Sequence, residues 1–346
     1  MAVMEDQLLD IYDYIWDPNR FGTAIFAILL TAVFGIVTGP MQGNSNPFLW
    51  LVFDKIFGSI GGRLDRPNRT GRELMFRGMF VSFFALVAAY YLGVGAKYVS
   101  LLVPLYGFTE IYMLAMAITC GSVWFTLLRL YFAMEKKRVT KGSYYAVAHS
   151  VRADLSALDD FSITRLGMGY AAFALDKGLV APVFWYLLTG LPGAFLYAGV
   201  AMLAWRFGKE GFSKGFGRLP LALEQLMGFV PHVLTGIIVS CAGLFTPTGG
   251  FTRAFIGQYW GGDKAPYYEG GYPLKALSYS LKVSLGGPYK DLDGSAVKRE
   301  WVGPEGATAQ LSVGHLRRAI YLHAVAVLIY IVAIAWAILW SGILVD

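Results

Sequence analysis

The stretch that decides the fold is 179–205, LVAPVFWYLLTGLPGAFLYAGVAMLAW. It contains no charged residue, and in a chain with a mean hydropathy of +0.52 this is typical of a membrane-embedded segment. Its centre, TGLPG at 189–193, should break the helix, because Pro192 cannot donate a backbone hydrogen bond and the glycines loosen the chain. Backbone groups freed inside a bilayer must be satisfied by protein or by water in a cavity. We therefore expect a re-entrant or broken helical hairpin; the alternative is one kinked helix in a bundle.

The composition of the whole chain agrees with a membrane environment. Of the 346 residues, 56% are hydrophobic and only 15% are charged. This balance predicts an all-α polytopic membrane protein with about five to six transmembrane helices, the hairpin and cytoplasmic amphipathic helices. The first residues, MAVMEDQLLDIYDY, are acidic and polar, so no secretory signal peptide is expected and the first apolar segment should remain as a helix.

The net charge of +6 lies mostly in the loops between the apolar segments. Basic loops next to spans are retained in the cytoplasm and attract anionic lipid headgroups. The segments 40–77, 133–178 and 206–218 are therefore predicted to share the cytoplasmic side. We expect a multi-pass protein of the bacterial inner (cytoplasmic) membrane, with the lipid bilayer as a partner. Nucleic acid is not needed to explain the charge.

The chain is predicted to form one membrane domain over 1–346. Its parts are an interfacial helix at 1–20, N-terminal spans at 21–132, a cytoplasmic helical segment at 133–178, the hairpin at 179–205, a second embedded segment at 206–245, a soluble cap at 246–317 and a last span at 318–345. A hairpin returns the basic loop after residue 205 to the cytoplasm, whereas one complete crossing would place that loop outside.

Several polar residues need an explanation in so apolar a chain. Glu224 follows a basic loop, and it is either embedded, which would make it a functional candidate, or part of an interfacial helix that leaves it in water. Cys120 and Cys241 fall inside predicted spans, where packing is their expected role. The histidines stand alone in the sequence, so no metal site is predicted; they are His149, His232, His315 and His323.

Short segments, taken in order along the chain, carry a resemblance to a known family. They are SALD at 156–159, GLVAPVF at 178–184, PGAFLY at 192–197, FG at 216–217, Pro231 with Leu234-Thr235, GYP at 271–273, VSLGG at 283–287 and RRA at 317–319. Their order resembles the cobalamin-biosynthesis membrane protein family CbiB/CobD, the adenosylcobinamide-phosphate synthases, whose distant relatives include the AmpE proteins. The likeness covers more than half of the chain, and the spacing from Asp159 to Pro182 matches without a gap.

The resemblance implies an inner-membrane protein of the corrinoid pathway, in which the family joins an aminopropanol moiety to a corrin carboxylate with ATP. Polar positions of the family pattern are replaced here in four segments. Its Glu-Asn is Phe173-Ala174, its Asn-Thr-Leu-Asp is AMLA at 201–204, its Ser-Ala-Arg-Leu-Asp-Asp is PLALEQ at 220–225, and its Ser-Pro-Asn-Ala is YYEG at 267–270. The residues Asp154, Asp159 and Arg165 match the pattern.

These replacements lead to two hypotheses. ATP-dependent amide formation needs Mg²⁺ held by carboxylates, and alanine and leucine supply no such ligand. The preferred hypothesis is a catalytically degenerate member with an apolar hairpin cavity, acting without a cofactor as a scaffold, an accessory subunit or a hydrophobic-ligand binder. The alternative is an active synthase that uses ATP, Mg²⁺ and a corrinoid, with a remodelled site on Asp154, Asp159, Arg165 and Glu224. A third hypothesis, a transporter gated by the broken helix, lacks a detectable inverted repeat.

Large side chains crowd the segments where the family has its polar cavity. Such residue types are enriched at buried contact surfaces, so they predict a surface for another membrane protein or a hydrophobic ligand. The residues of this predicted surface are Phe173, Trp185, Tyr197, Met202 and Trp205, with Phe184, Phe195 and Phe207 nearby. The alternative is that the rings simply fill the old cavity.

Overall fold

The computed structural model describes residues 17–66, 68–156, 158–263 and 265–343. The predicted interfacial helix therefore lies outside the described residues up to residue 16. The helices of the first half are α1 (Pro18–Thr38), α2 (Phe48–Phe53), α3 (Ser59–Leu64), α4 (Gly71–Leu102), α5 (Phe108–Ala117), α6 (Gly121–Glu135) and α7 (Lys141–Val151). A π-helical turn, Asp54–Gly58, joins α2 to α3.

The second half of the described chain contains further helices and short strands. Its helices are α8 (Asp160–Leu175), α9 (Ala181–Thr189), α10 (Leu191–Phe207), α11 (Arg218–Phe245), α12 (Phe251–Trp260), α13 (Gly271–Leu281) and α14 (Val313–Ile343). Four two-residue strands form two antiparallel pairs, with β1 (Leu285–Gly286) on β4 (Trp301–Val302) and β2 (Tyr289–Lys290) on β3 (Ala296–Val297). Apart from these short strands, the regular secondary structure of the described residues is helical, as the sequence predicts.

Five helical segments in the described part of the chain are long and apolar enough to cross a membrane. They are Asn19–Thr38, Gly71–Leu102, Asp160–Thr189, Gly215–Phe245 and Val313–Trp340. The helices α5 and α6 meet at 46° and form a sixth span if they count as one broken crossing. The prediction of an all-α polytopic membrane protein with about five to six spans is confirmed.

The hairpin breaks where the sequence places the break, at Gly190. Helix α9 ends at Thr189, and Gly190 adopts φ 73° and ψ −160°, a conformation that is open essentially only to glycine. Pro192 then sits in the first turn of α10, where no intrahelical donor is needed. The end of α10 lies beside α8, because Trp50 stacks on both Phe173 and Trp205, each ring pair with centroids 6.0 Å apart. The chain therefore turns back, and the alternative of one kinked helix is wrong.

The first arm of the hairpin is longer than predicted. Helices α8 and α9 are joined by a π-helical turn, Asp176–Val180, and form one helical segment from Asp160 to Thr189. At 1.5 Å per residue its 30 residues extend about 45 Å, more than the hydrocarbon core needs. The amphipathic region assigned to 133–178 ends earlier than expected, since Arg152 leaves helix α7 in the left-handed conformation.

Small residues allow the second arm to pack closely on α4. The buried side of α4 carries Gly78, Ser82, Ala85, Ala89, Gly93, Ala96 and Ser100, spaced by three or four residues. A Cβ added at Gly93 would lie 2.6 Å from the Pro192 Cα, and one at Gly199 would lie 2.9 Å from the Ala89 Cβ. Such contacts associate helices inside a bilayer, where lipid offers no hydrophobic driving force. The opposite side of α4 exposes Phe80, Phe83 and Phe84, as expected for contact with lipid tails.

The three basic segments meet at one end of the bundle. Lys214 Nζ lies 3.2 Å from Asp65 Oδ2, which joins the loop after α10 to the loop before α4. Asp291, in the β2–β3 hairpin, is fully buried and pairs with both Arg152 and Lys209. The segments 40–77, 133–178 and 206–218 therefore contribute residues to the same end, as required if they share one side of the membrane.

Residues 246–317, predicted as a soluble cap, form α12, α13, the four strands and the first turn of α14, which begins at Val313. Helices α12 and α13 pack on α11, and Arg253 donates to the carbonyl oxygens of Tyr279 and Ser280 at 3.0 and 2.9 Å. The strands fold back towards α8: the Asp154 N–H donates to the Lys290 carbonyl oxygen at 2.8 Å. This segment thereby closes one end of the hairpin.

Candidate functional site

A cavity lies between the hairpin, α13 and the strands, at the end of the bundle where the basic segments meet. Its wall combines aromatic and small residues with charged ones. The residues that line it include Val151, Arg165, Leu166, Gly169, Phe173, Lys177, Ala204, Trp205, Gly208, Lys209, Leu221, Tyr268, Glu269, Leu274, Gly286, Gly287, Tyr289 and Arg299. Four of these are cations and one is a carboxylate. The expectation of an apolar hairpin cavity is therefore wrong, because Arg165 and Lys177 of the hairpin itself line it, together with charged residues that follow the hairpin in the chain.

Two of the four cations already have carboxylate partners. Lys177 Nζ lies 3.0 Å from Glu224 Oε2, with 4% and 0% of the two side chains exposed. Lys209 pairs with the buried Asp291. The other two, Arg165 and Arg299, make no hydrogen bond or ion pair with any residue that the structure describes, and the Nε atom of each is buried. Each guanidinium instead stacks on an aromatic ring.

The Lys177–Glu224 pair is the centre of a buried polar network below the cavity. The hydroxyls of Tyr197 and Tyr267 donate to Glu224 Oε1 at 3.3 and 2.8 Å. Lys177 also lies over the Tyr267 ring, 4.7 Å from its centroid. The alternative that placed Glu224 in water is thus wrong: Glu224 is embedded, and its charge is compensated by protein groups as burial requires.

A second buried contact fixes the adjacent turn of the hairpin. His232 Nδ1 lies 2.7 Å from Asp176 Oδ2, and the Thr235 hydroxyl donates to Asp176 Oδ1 at 3.2 Å. The Tyr272 N–H donates to His232 Nε2 at 3.0 Å, so Nε2 carries no proton and Nδ1 is the donor to Asp176. This arrangement connects the π-helical turn of the hairpin to α11 and α13.

The four candidate catalytic residues do not form one site. Asp154 is half-buried in the loop after α7 and accepts from the Ser156 N–H and hydroxyl, which lower the pKa of this carboxyl below its ordinary value. Asp159 caps α8 by accepting from the Ser162 N–H, and hydrogen bonding from Ser162 lowers its pKa as well. Arg165 lines the cavity, whereas Glu224 lies in the network beneath it.

The predicted partner surface is divided between the core and the cavity wall. Tyr197 and Met202 are fully buried, and Phe195 and Phe207 are 4% and 8% exposed, so these four residues form no surface. Trp185 is half-buried and donates to the Met227 carbonyl oxygen at 3.0 Å. Phe173 and Trp205 line the cavity. The expectation fails for Tyr197 and Met202 because α10 is enclosed by α4 and α11.

Several residues of the cavity and of the buried contacts beside it were missed by the sequence analysis. Lys177 and Asp176 stand side by side just before an apolar run, and charges in that setting are functional candidates by default. That signal could have identified both residues. No comparable signal marks Glu269 or Arg299, which belong to the polar segment 246–317 and reach the cavity only through the packing of α13 and the strands.

The cavity does not fit a protein-held Mg²⁺ ion. Mg²⁺ is bound through one or two carboxylates together with substrate phosphates. Of the lining residues, only Glu269 is a carboxylate; its Oε2 accepts the Glu300 N–H at 3.0 Å, and burial raises its pKa above the ordinary value. No group of three or more His, Cys, Asp or Glu arranged for a metal occurs in the described ranges. The excess of cations suits an anion instead.

Together these features define a multi-pass α-helical membrane protein with a broken hairpin and a cationic cavity at one end of the bundle. Comparison with known proteins gives the family. A family model described as CobD/Cbib protein matches residues 25–323, most of the chain. The chain belongs to the CobD/Cbib family.

Individual relatives agree with the family match. The chain is 29% identical over 212 residues to the probable cobalamin biosynthesis protein CobD of Pyrococcus abyssi, covering 60% of this chain and 68% of that relative. It is 23% identical over 266 residues to the probable cobalamin biosynthesis protein CobD of Methanocaldococcus jannaschii, and this match covers 75% of this chain and 84% of that relative. The match to the probable cobalamin biosynthesis protein CobD of Methanococcus aeolicus is 29% identical. It covers 39% of this chain and 43% of that relative. No solved structure gives a significant match.

Proposed function

We propose that this protein acts in cobalamin biosynthesis and that its cavity binds an anionic substrate of that pathway. The proposal rests on one observation: residues from segments that are distant in the sequence line one cavity. Arg165 matches the family pattern, Gly286 and Gly287 belong to the family-like VSLGG segment, and all three line the same wall as Lys177. Segments that share a family pattern and meet at one cationic cavity are expected to share a ligand class.

The reaction that this membership favours is the one implied by the resemblance: ATP-dependent amide formation between a corrinoid acid and aminopropanol or its phosphate. In this chain the cationic side chains would hold the anionic groups, and Trp205 and Phe173 would exclude water from the site. We derive no step through Mg²⁺, because the lining residues do not fit that ion. The relatives' names support the pathway, and the inner membrane is the proposed location.

Genetic complementation tests this proposal. The chain is expressed in a bacterial strain that lacks its own synthase, next to an empty vector and to the Arg165→Gln variant. Restored cobalamin-dependent growth with the chain, and reduced growth with the variant at equal membrane abundance, is the expected result. Failure to restore growth, with the intact protein present in the membrane, would reject the enzymatic reaction.

A second candidate is corrinoid binding without catalysis, as an accessory subunit or scaffold. One observation favours it: Phe173 and Ala204 line the cavity at positions where the family pattern has Glu and Asp. A chain that binds a corrinoid acid but forms no amide with ATP and Mg²⁺ would have this function. The double variant Phe173→Glu/Ala204→Asp is then expected to gain measurable product, with Phe173→Gln/Ala204→Asn as its uncharged control.

A further inference from the structure

The short helix α12 exposes an apolar face although it is not one of the five spans. It has ten residues, about half of the roughly 20 that a membrane crossing needs. Its exposed residues stand one turn apart and are Thr252, Ile256 and Trp260, of which the last two are 51% and 73% exposed. The half-buried rings of Phe255 and Tyr259 flank them. A continuous row of large apolar side chains on one helix face marks an interaction surface.

The polarity of α12 is inverted relative to a helix on a water-exposed surface. Its only charged residue, Arg253, is turned towards α13 and donates to the carbonyl oxygens of Tyr279 and Ser280. Gln258 is also turned inward and is 1% exposed. A surface helix in water places its polar residues outside and its apolar stripe inside. The reverse arrangement in α12 indicates that its outer face lies in an apolar medium.

The exposed face of α12 extends the apolar surface of a neighbouring span. Helix α12 runs back along α11, because Gly250 lies against Gly243 and the Gln258 side chain lies against Gly236. Helix α11 is long and apolar enough to cross a membrane. Its large exposed side chains include Leu226, Phe229, Val230, Leu244 and Phe245. Lipid covers the exposed apolar surface of a span, so lipid is the occupant that also reaches the adjoining face of α12.

Aromatic residues indicate the depth of α12 in the bilayer. Four rings follow one another along the helix: the centroids of Phe251 and Phe255 are 5.6 Å apart, those of Phe255 and Tyr259 5.3 Å, and those of Tyr259 and Trp260 5.7 Å. Tyr259 and Trp260 stand at the end of α12, directly before the polar turn at 261–263. Tyrosine and tryptophan are enriched where the apolar core of a membrane meets water. This composition places α12 at the boundary between lipid headgroups and acyl chains.

We propose that α12 is an interfacial helix whose Ile256 and Trp260 side chains insert into the lipid bilayer. Asp263, just after α12, accepts the Tyr279 hydroxyl at 2.8 Å and the Gly303 N–H at 3.2 Å. The end of α12 is thereby connected to α13 and to the residue that follows β4. The lipid contact therefore anchors segment 246–317, which closes one end of the hairpin, to the membrane surface. This segment is then a membrane-attached cap.

The experiment measures lipid contact at single positions of the full-length protein. Ile256→Cys and Trp260→Cys are made in a Cys241→Ser background and labelled with an environment-sensitive fluorophore, and the protein is reconstituted in nanodiscs of phosphatidylcholine with or without brominated acyl chains. The references are Leu328→Cys on the exposed side of α14 and Glu305→Cys in the exposed loop after β4. Brominated lipid should quench the labels at 256, 260 and 328 several-fold more than the label at 305. Iodide in the buffer should quench mainly the label at 305.

A pair of charge substitutions tests which side chains insert. A label at Thr252→Cys reports on the same face of α12. Ile256→Glu/Trp260→Glu should remove most of the quenching of this label by brominated lipid, because charged side chains are costly to insert into a bilayer. Leu292→Glu, at an exposed leucine in the β2–β3 turn, is the matched control and should leave the quenching unchanged. The labels at 256 and 260 decide the matter if the double variant fails to fold.

Three results would overturn the proposal. Iodide quenching at 256 and 260 equal to that at 305 would place α12 in water. Protection of both positions from iodide and from brominated lipid would mean that protein, such as a second copy of this chain, covers the face. Unchanged lipid quenching at 252 in a folded double glutamate variant would show that Ile256 and Trp260 do not hold α12 in the bilayer.

Discussion

Lys177 and Glu224 form an ion pair 3.0 Å long in the interior of the helical bundle, between the π-helical turn of the hairpin and α11. Both side chains are almost fully shielded from solvent. The pair also connects two regions of interest, because Lys177 lines the cavity while Glu224 receives the hydroxyls of Tyr197 and Tyr267. It therefore fixes the position of the hairpin relative to the segment that closes the cavity.

Removing one partner of this pair should be strongly destabilising. Glu224→Gln leaves a buried ammonium without its counter-charge, and such changes cost about 3–5 kcal/mol. The double variant Lys177→Met/Glu224→Leu removes both charges and should recover most of that loss. Thermal and chemical unfolding in detergent measure the effect. A single variant as stable as the unmodified protein would show that the pair is not required, and equal instability of the double variant would implicate packing instead.

The conformation of Gly190 gives a second prediction about the hairpin. Gly190→Ala places a side chain in a region that only glycine adopts readily, at a cost of about 1–3 kcal/mol. Pro192→Ala should change the free energy of unfolding by only about 0.4–1 kcal/mol, because Pro192 lies in the first turn of α10 and acts mainly through the unfolded chain. Unfolding in detergent compares the two. The reverse order would mean that the break depends on proline.

The break in the hairpin could be predicted from the sequence, whereas the cavity beside the hairpin could not. The break at 189–193 follows from local chemistry, since Gly190 and Pro192 act on their own backbone, and hydropathy identifies the spans in the same local way. The cavity could not be predicted, because Arg165 meets Trp301 and Lys177 meets Glu224 only through tertiary packing. The replaced positions Phe173 and Ala204 suggested lost polarity. The four cations that line the cavity, two of them on the same helical segment as Phe173, reverse that expectation.

Asp159 matches the family pattern, and its geometry is that of a helix cap. Asp159→Ala should destabilise the protein by about 1 kcal/mol, whereas Asp159→Asn should cap equally well. The lowered pKa of Asp159 means that its ionised form contributes stability above the ordinary value of 3.8 and that this contribution is lost as the pH falls through the lowered pKa. Unfolding of the unmodified protein and the Asn variant across this range tests the sign. Loss of complementation in a stable Asn variant would instead indicate a catalytic carboxylate.

The common side of the three basic segments is tested by labelling. Cys241 is half-buried and is first replaced by Ser, while Cys120 is buried. Ser213→Cys lies on the exposed loop after α10, and Val103→Cys lies at the opposite end of α4. A membrane-impermeant maleimide added to intact cells should label position 103 and leave position 213 unlabelled until the membrane is opened. Labelling of position 213 from outside would place the basic loops, and the cavity beside them, on the outer side.

The last prediction separates cavity wall from core by comparing two aromatic residues of α10. Tyr197 is fully buried, whereas Trp205 is half-buried, lines the cavity and donates to the Ser150 carbonyl oxygen at 2.8 Å. Tyr197→Ala should cost about 3–5 kcal/mol, as large-to-small changes at buried aromatic residues do. The milder variants are more informative. Tyr197→Phe and Trp205→Phe each remove one hydrogen bond, worth about 0.5–1.5 kcal/mol, and both should fold.

These two variants should differ in ligand binding. Trp205→Phe reshapes the wall beside Arg165 and should weaken the binding of a corrinoid acid several-fold, whereas Tyr197→Phe acts beneath the wall and should leave the affinity unchanged. Spectroscopic titration of the purified variants with the corrinoid measures both affinities, and their thermal midpoints serve as the control for folding. Equal affinities in two folded variants would show that Trp205 belongs to the packed interior, as Tyr197 does, and that the ligand binds away from the hairpin.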